Sequence, residues 1–213
     1  MRVLCLSVFF AALAGAQAPK LPAGVDPQSY SRLPLLQRGQ VSPDALRVFD
    51  LVAGKDRNTP PIGPGNTYMY SPGVAEPMQQ LNNYLRKTVV GPQYFEICAL
   101  LGARDQDQAY EWSAHEPAAR RAGVEQSVID AIKFSRDTQG LPEKDAAVIQ
   151  FGRDLLQKHR VSPELYAKVV QLFGKQGMTE LTAIMGDYVL AAIMLNAVDQ
   201  QLPPGREALL PVK

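Results

Sequence analysis

The sequence predicts an all-α protein with a proline-rich N-terminal strap. Three observations predict it. Apolar residues recur at helical spacing through most of the chain, and no period-two alternation of useful length is present. Proline is spread unevenly: ten of the 17 lie between Pro19 and Pro77, four between Pro92 and Pro163, and three from Pro203 onward. The proline-poor middle is therefore free to form long helices. With 46% hydrophobic and 20% charged residues in 213, the chain can bury a sizeable core.

The first residues read as a secretory signal. Met1-Arg2 is basic, Val3 to Ala14 is apolar, and Gly15-Ala16-Gln17-Ala18 supplies the small residues of a cleavage site before Gln17 or before Pro19. The apolar run is too short to span a bilayer comfortably. The expected organisation is a signal peptide over 1–18 and a single domain over 19–213: strap and short helix over 19–66, helical core over 67–202, tail over 203–213. No later apolar run is expected to reach membrane length. These readings place the protein in the periplasm or outside the cell, with no membrane contact after cleavage.

From Gln17 to Leu36 proline and glycine favour extended strap geometry. Ser42-Pro43 is an N-cap with proline in the first turn, opening a helix through Val52 before Gly54. Asn58 to Asn66 reads as a rigid loop. Helices are expected over Gly73–Arg86, Pro92–Ala103, from an Asp107 cap to Arg121 with Gly123 as a left-handed stop, Glu125–Ser135, Pro142–Lys158, and Pro163–Phe173 after a Ser162 cap. A last helix is expected from Thr179 to about Gln200. It is apolar on more than one face and interleaved with Gly186 and Ala191, so it belongs in the core or in a subunit interface.

Lys+Arg 22 against Asp+Glu 21 leaves no field to draw the chain onto nucleic acid. Loss of the leader would also remove Cys5. Cys98 would then be the only cysteine, so no intrachain disulfide, Cys-x-x-Cys pair or cysteine-built zinc site can form.

Two histidines are present. His159, at a helix C-terminus, complements the macrodipole and reads as structural. His115 follows Glu111 by one helical turn, so carboxylate and imidazole share a face. A carboxylate neighbour raises imidazole basicity and selects its tautomer, as a proton shuttle requires. Taken alone, such a pair is more often a solvated surface pair than an active site. Pro117, inside the same helix, frees backbone groups near His115. Glu96 sits mid-helix among apolar residues, where an unpartnered carboxylate is costly. The short Gly102 to Gln106 connection would fold its helix back on the next, making His115 a reasonable partner. Glu96 as a solvated helix residue is the competing reading. A metal held by Glu96, Glu111 and His115 has an acceptable donor set, but no second histidine is at hand.

These residues resemble a known family. Tyr110-Glu111-Trp112-Ser113-Ala114-His115-Glu116-Pro117, followed by Ala122-Gly123-Val124, is similar to the YEW-x-x-H signature of the carboxymuconolactone decarboxylase family, which includes the AhpD-like alkylhydroperoxidases. Ser71-Pro72-Gly73-Val74-Ala75-Glu76-Pro77 resembles its S-P-x-x-A-E segment. Gly186-Asp187-Tyr188 with Leu195-Asn196-Ala197 resembles its G-x-Y and L-N-A segments, and Arg32-Leu33-Pro34 and Gly63-Pro64-Gly65-Asn66 its strap and loop. The resemblance covers nearly the whole chain after the leader and implies an AhpD-like helical bundle.

The peroxidase branch uses a Glu, a C-x-x-C pair and a His. Glu96 and His115 keep the Glu-to-His separation of 19, while Gln108 and Glu111 stand at the cysteine positions, so thiol peroxidase chemistry is not expected. The decarboxylase branch implies a cofactor-independent lyase acting on a small lactone acid, with no thiol, metal or organic cofactor. His115 would donate or relay the proton, Glu111 orient it, and Glu96 complete the relay. Arg86, Arg104, Arg120 and Arg121 are the cations near enough in sequence to hold an anionic substrate. The resemblance also implies a homo-oligomer, trimer or hexamer. A non-catalytic small-molecule-binding protein on the same scaffold is the alternative.

Overall fold

The computed structural model describes residues 21–211, so the signal-segment readings lie outside the described residues. Among the described residues the structure is helical, without strands. Two short 3-10 turns, Arg38–Gln40 and Pro43–Ala45, lead into α1, Leu46–Ala53, which buries Val48, Phe49 and Val52. Gly54 ends α1 at φ 93°, a conformation open to glycine. Then follow α2 (Pro64–Met69), α3 (Pro72–Leu85), α4 (Gly91–Asp105), α5 (Ala109–Arg121), α6 (Gln126–Lys133), α7 (Glu143–Lys158) and α8 (Pro163–Ala197).

Helix α4 is the centre of the bundle. Every residue from Phe95 to Ala103 is buried, against α5, α6, α7 and α8. An apolar side chain fully removed from water contributes about 1.5–3 kcal/mol, and Ile97, Leu100, Trp112, Ile129, Ile149, Leu181 and Ile184 are all fully buried in this cluster. Close approach of α4 to α8 needs Gly102: a Cβ there would lie 2.9 Å from Tyr188 Cβ and 3.2 Å from the Met185 carbonyl. A second cluster joins α1, α2, α3 and Ala191 of α8.

The strap is tied to the segment that follows α8. Arg32 N donates to Val198 O, Gln201 N to Tyr30 O, and the Gln200 amide to Ser29 O and Tyr30 O. It is tied to α2 through Asn66, whose side chain accepts from Leu36 N and donates to Pro34 O.

Four sequence expectations are corrected. The 58–66 stretch is not loop throughout, because Pro64 opens α2 after Gly63 at φ 90°; a six-residue helix carries too few residues to display a period. Gln108, not Asp107, caps α5, accepting from Tyr110 N at 2.8 Å, while Asp107 takes a left-handed φ of 47° and pairs with Arg104. The break expected after Phe173 is present but is a kink at Gly174 alone, at φ 72° and ψ 171°, rather than a connection reaching to Thr179, so the two last expected helices join in one element that ends at Ala197 rather than near Gln200. That element is also long and apolar enough to cross a membrane by length and composition, contrary to expectation; half of the qualifying window is buried in the bundle.

His159 is an exposed left-handed C-cap of α7, outside any cluster with His115.

Candidate active site

Glu96 and His115 meet as the helix turn-back predicts. Glu96 projects from the buried run of α4, and α5 carries Glu111, His115 and Ala114 on its inward faces. His115 Nδ1 lies 2.7 Å from Glu96 Oε2, and Nε2 lies 3.6 Å from Glu111 Oε2. The carboxylate of Glu96 accepts from the Nδ1 side, which leaves Nε2 turned toward Glu111. The two carboxylates address opposite ring nitrogens, so the three side chains do not converge on one point. Among the described residues no group of three or more His, Cys, Asp or Glu side chains is arranged to hold a metal ion.

A cavity of about 220 Å³ opens beside this chain of groups. Glu111, His115 and Ala114 of α5 form one wall, Asn82 of α3 and Arg86 at the C-cap of that helix a second, and Asp187, Tyr188 and Ala191 of α8 a third; Tyr68 and the Pro64-Gly65 turn of α2 lie on the remaining side. Glu96 lies behind the imidazole and does not line the cavity. The Tyr188 ring stands edge-on to the His115 ring, 4.6 Å between centroids, and to Phe95 at 5.6 Å. These contacts and the Glu96 bond fix the imidazole plane.

The two cavity-lining carboxyls resist ionisation. Burial raises the Glu111 pKa, the nearby Asp187 charge adds to this, and His115, Arg86 and Arg206 oppose it. Asp187 is raised by burial too, against a 2.9 Å hydrogen bond from the Asn82 amide and the field of Arg86. Glu111 is 3% exposed, and its Oε1 has no hydrogen-bond partner. A buried carboxyl oxygen left without a partner, whether it carries the proton or accepts one, is costly.

Glu116, one turn beyond Trp112 on α5, shows the contrast. It is fully buried, accepts from the Trp112 indole N–H, and pairs with Arg120 and with Lys133 at 3.2 Å. Its charge is neutralised, so it is a structural anchor.

Of the four arginines considered from sequence, Arg86 alone lines this cavity. Arg104 donates to Lys133 O and pairs with Asp107, Arg120 holds Glu116 and Gln126, and Arg121 lines an open groove on the far side of α5. Cys98 is fully buried in α4, with its thiol pushed up by desolvation, and does not line the cavity. Gln108 is bound to Asn196 at 2.6 Å.

Sequence reasoning gave no role to Asp187, Tyr188, Asn82 or Tyr68. The signal for Asp187 was the one that singled out Glu96: a carboxylate set between apolar faces of a core helix. Asn82 and Tyr68 have no such signal, because their neighbours in sequence are ordinary helix residues.

The bundle, with its carboxylate–imidazole chain facing a small interhelical cavity, is an AhpD-like helical fold. An alkylhydroperoxidase AhpD core structure, an uncharacterized peroxidase-related protein from Ralstonia eutropha, superposes with a TM-score of 0.66 at 17% identity, covering 85% of this chain and 96% of its own. The debrominase Bmp8, a cysteine-to-alanine variant in complex with 2,3,4-tribromopyrrole, gives a TM-score of 0.61 at 17% identity, covering 81% and 91%. A protein of unknown function from Agrobacterium tumefaciens, ascribed to antioxidant defence as an AhpD, gives 0.57 at 14% identity, covering 70% and 97%. No protein-family model matches the chain, and no curated protein matches it.

Proposed function

We propose that the chain is a cofactor-independent, lyase-like enzyme resembling carboxymuconolactone decarboxylase, acting on a small carboxylated or lactone compound by Glu/His acid–base chemistry. One observation carries this reading: Glu111 is buried in the cavity wall with Oε1 unpartnered, beside an imidazole whose far nitrogen is held by Glu96. A carboxyl whose pKa is raised by burial keeps its proton to higher pH than a free carboxyl and so suits a proton donor, and a histidine oriented by a second carboxylate can restore that proton. The cavity suits a single ring with small substituents, below the roughly 300–1,000 Å³ of drug-sized pockets. The tribromopyrrole bound by the debrominase supports a small ring as occupant.

In the reaction the C–C bond to a carboxylate breaks, CO₂ leaves without the bonding pair, and that pair is delocalised into a neighbouring carbonyl as an enolate. Neutral Glu111 hydrogen-bonds the developing oxyanion, and a proton delivered from Glu111 or through His115 Nε2 quenches the carbanion. Solvent returns the proton to the Glu111–His115 pair, so one carboxylate and one proton become CO₂ and a C–H bond. Glu96 holds the imidazole on its other side and transfers nothing to substrate. Orientation thus falls to Glu96, where the sequence reading gave it to Glu111.

The enzyme is exported and works as a homo-oligomer, trimer or hexamer, with exposed Leu190 and Ile193 of α8 supporting assembly. The deciding experiment is a screen of lactone acids for CO₂ release with wild type, His115→Ala and Glu111→Gln, each shown to be folded. The reading expects turnover that falls about 10²–10⁴-fold in both variants. Variants as fast as wild type would refute it, and ligand retention without turnover would favour the binding-protein alternative.

A further inference from the structure

The cavity is lined by carboxyl, imidazole, phenol and amide groups and by one guanidinium, that of Arg86. The direct contacts of this guanidinium are with neutral groups, while its field reaches the Glu111 and Asp187 carboxyls deeper in the cavity. Nε donates to Asn82 Oδ1 at 2.9 Å, Nη2 donates to Tyr188 Oη at 3.2 Å, and the charge lies 4.9 Å above the Phe95 ring centroid. Among the described residues no ion pair joins it to a carboxylate. Arg86 is also exposed, so it stands at the mouth while Glu111 and His115 lie inside. A fork fixed in this way has lost its side-chain freedom before a ligand arrives, which lowers the entropic cost of binding an anion.

At the inner end, Glu111 Oε1 has no protein partner and is open to a polar group of a ligand. The buried carboxyls and the exposed cation thus give the cavity a polar axis: an anion at the mouth, and a neutral oxygen at the bottom.

We infer that Arg86 is the specificity residue of this cavity, pairing at its mouth with the carboxylate of a one-ring acid whose far end places a carbonyl or ring oxygen against Glu111. The inference rests on the acid–base reading of the same cavity. The carboxylate bound at Arg86 is one the reaction retains, because pairing a departing carboxylate with a guanidinium would stabilise the ground state and slow its loss. Asn82 and Tyr188 act through Arg86 as positioning residues.

The test needs no knowledge of the natural substrate. Binding of 2-furoate and benzoate is measured by ligand-observed NMR and calorimetry against their neutral amides, 2-furamide and benzamide, in wild type, Arg86→Gln, Arg86→Lys and Arg121→Gln. Wild type should prefer the acids over the amides by about ten- to a hundred-fold, the size of a charge-assisted pair. Arg86→Gln should abolish that preference with amide binding unchanged, and Arg86→Lys should keep part of it. Arg121→Gln, which removes a cation outside this cavity, should keep all of it. A wild type that does not prefer the acids, or an Arg86→Gln variant that still does, overturns the inference. Failure of the catalytic reading has a different signature: His115→Ala would turn substrate over normally, whatever the acid-to-amide ratio.

Discussion

The His115 imidazole is held by Glu96 and merely approached by Glu111: Nδ1 lies 2.7 Å from Glu96 Oε2, Nε2 3.6 Å from Glu111 Oε2. The tighter contact belongs to the carboxylate that does not line the cavity, so Glu96 sets the tautomer while Glu111 faces the ligand. Glu96→Gln should therefore lower kcat by roughly 10²-fold with little change in KM, and nitrogen NMR should show His115 leaving its single tautomer. Equal losses in kcat and KM with the tautomer unchanged would contradict this.

Glu111 and Asp187 predict a pH dependence of stability. Both carboxyls are raised in the folded protein, chiefly by burial. The folded state therefore holds protons that the unfolded chain has released, and stability is lost as pH rises from the ordinary carboxylate range through the folded pKa values. Glu111→Gln and Asp187→Asn remove that loss. In melts from pH 4 to pH 8, each variant's Tm relative to wild type should rise with pH, by about 2–4 °C for every 1 kcal/mol relieved. A gap independent of pH would sink the prediction.

Two glycines should respond oppositely to alanine. At Gly102 the new Cβ meets Tyr188 Cβ at 2.9 Å and Val189 N at 3.1 Å, so α4 and α8 must separate, at a cost of about 1–3 kcal/mol. At Gly186 nothing lies within 4 Å, and alanine should stabilise the exposed helix by about 0.5–1 kcal/mol. Denaturant melts check both. Light scattering on Gly186→Ala also bears on assembly: if the Gly186 face is packed in an oligomer, the added methyl shifts the protein toward smaller species.

Cys98 should be silent to thiol reagents in the native protein, because it is fully buried and its thiol is pushed up. In denaturant, protein cleaved before Gln17 or Pro19, as the proposed export requires, should release one thiol per chain, and uncleaved protein, which keeps Cys5, should release two. A fast-reacting native thiol would contradict the packing of α4.

The all-α class, the boundaries of α4, α5 and α7 to within a few residues, and the Glu96, Glu111, His115 constellation were legible in the sequence, because helical spacing and caps are local properties of the chain. Glu96 and His115 could be paired because a short turn between two helices leaves few ways to fold back. The break after Phe173 was legible, but not that helix resumes directly after Gly174, because Gly174 and Gly177 together read as a longer interruption. Only the tertiary structure decided which carboxylate holds the imidazole and which faces the cavity. It also decided which of four arginines stands at the mouth, and that Asp187, Tyr188, Asn82 and Tyr68 complete the walls. These residues come from the ends and faces of α2, α3 and α8, with the bonded pair Asn82 and Asp187 105 positions apart, and what brings them together is the packing of glycine-tight helices around α4. Burial, which leaves Glu111 Oε1 without a partner while Glu116 a few residues on is paired with two cations, depends on that packing and on no local pattern.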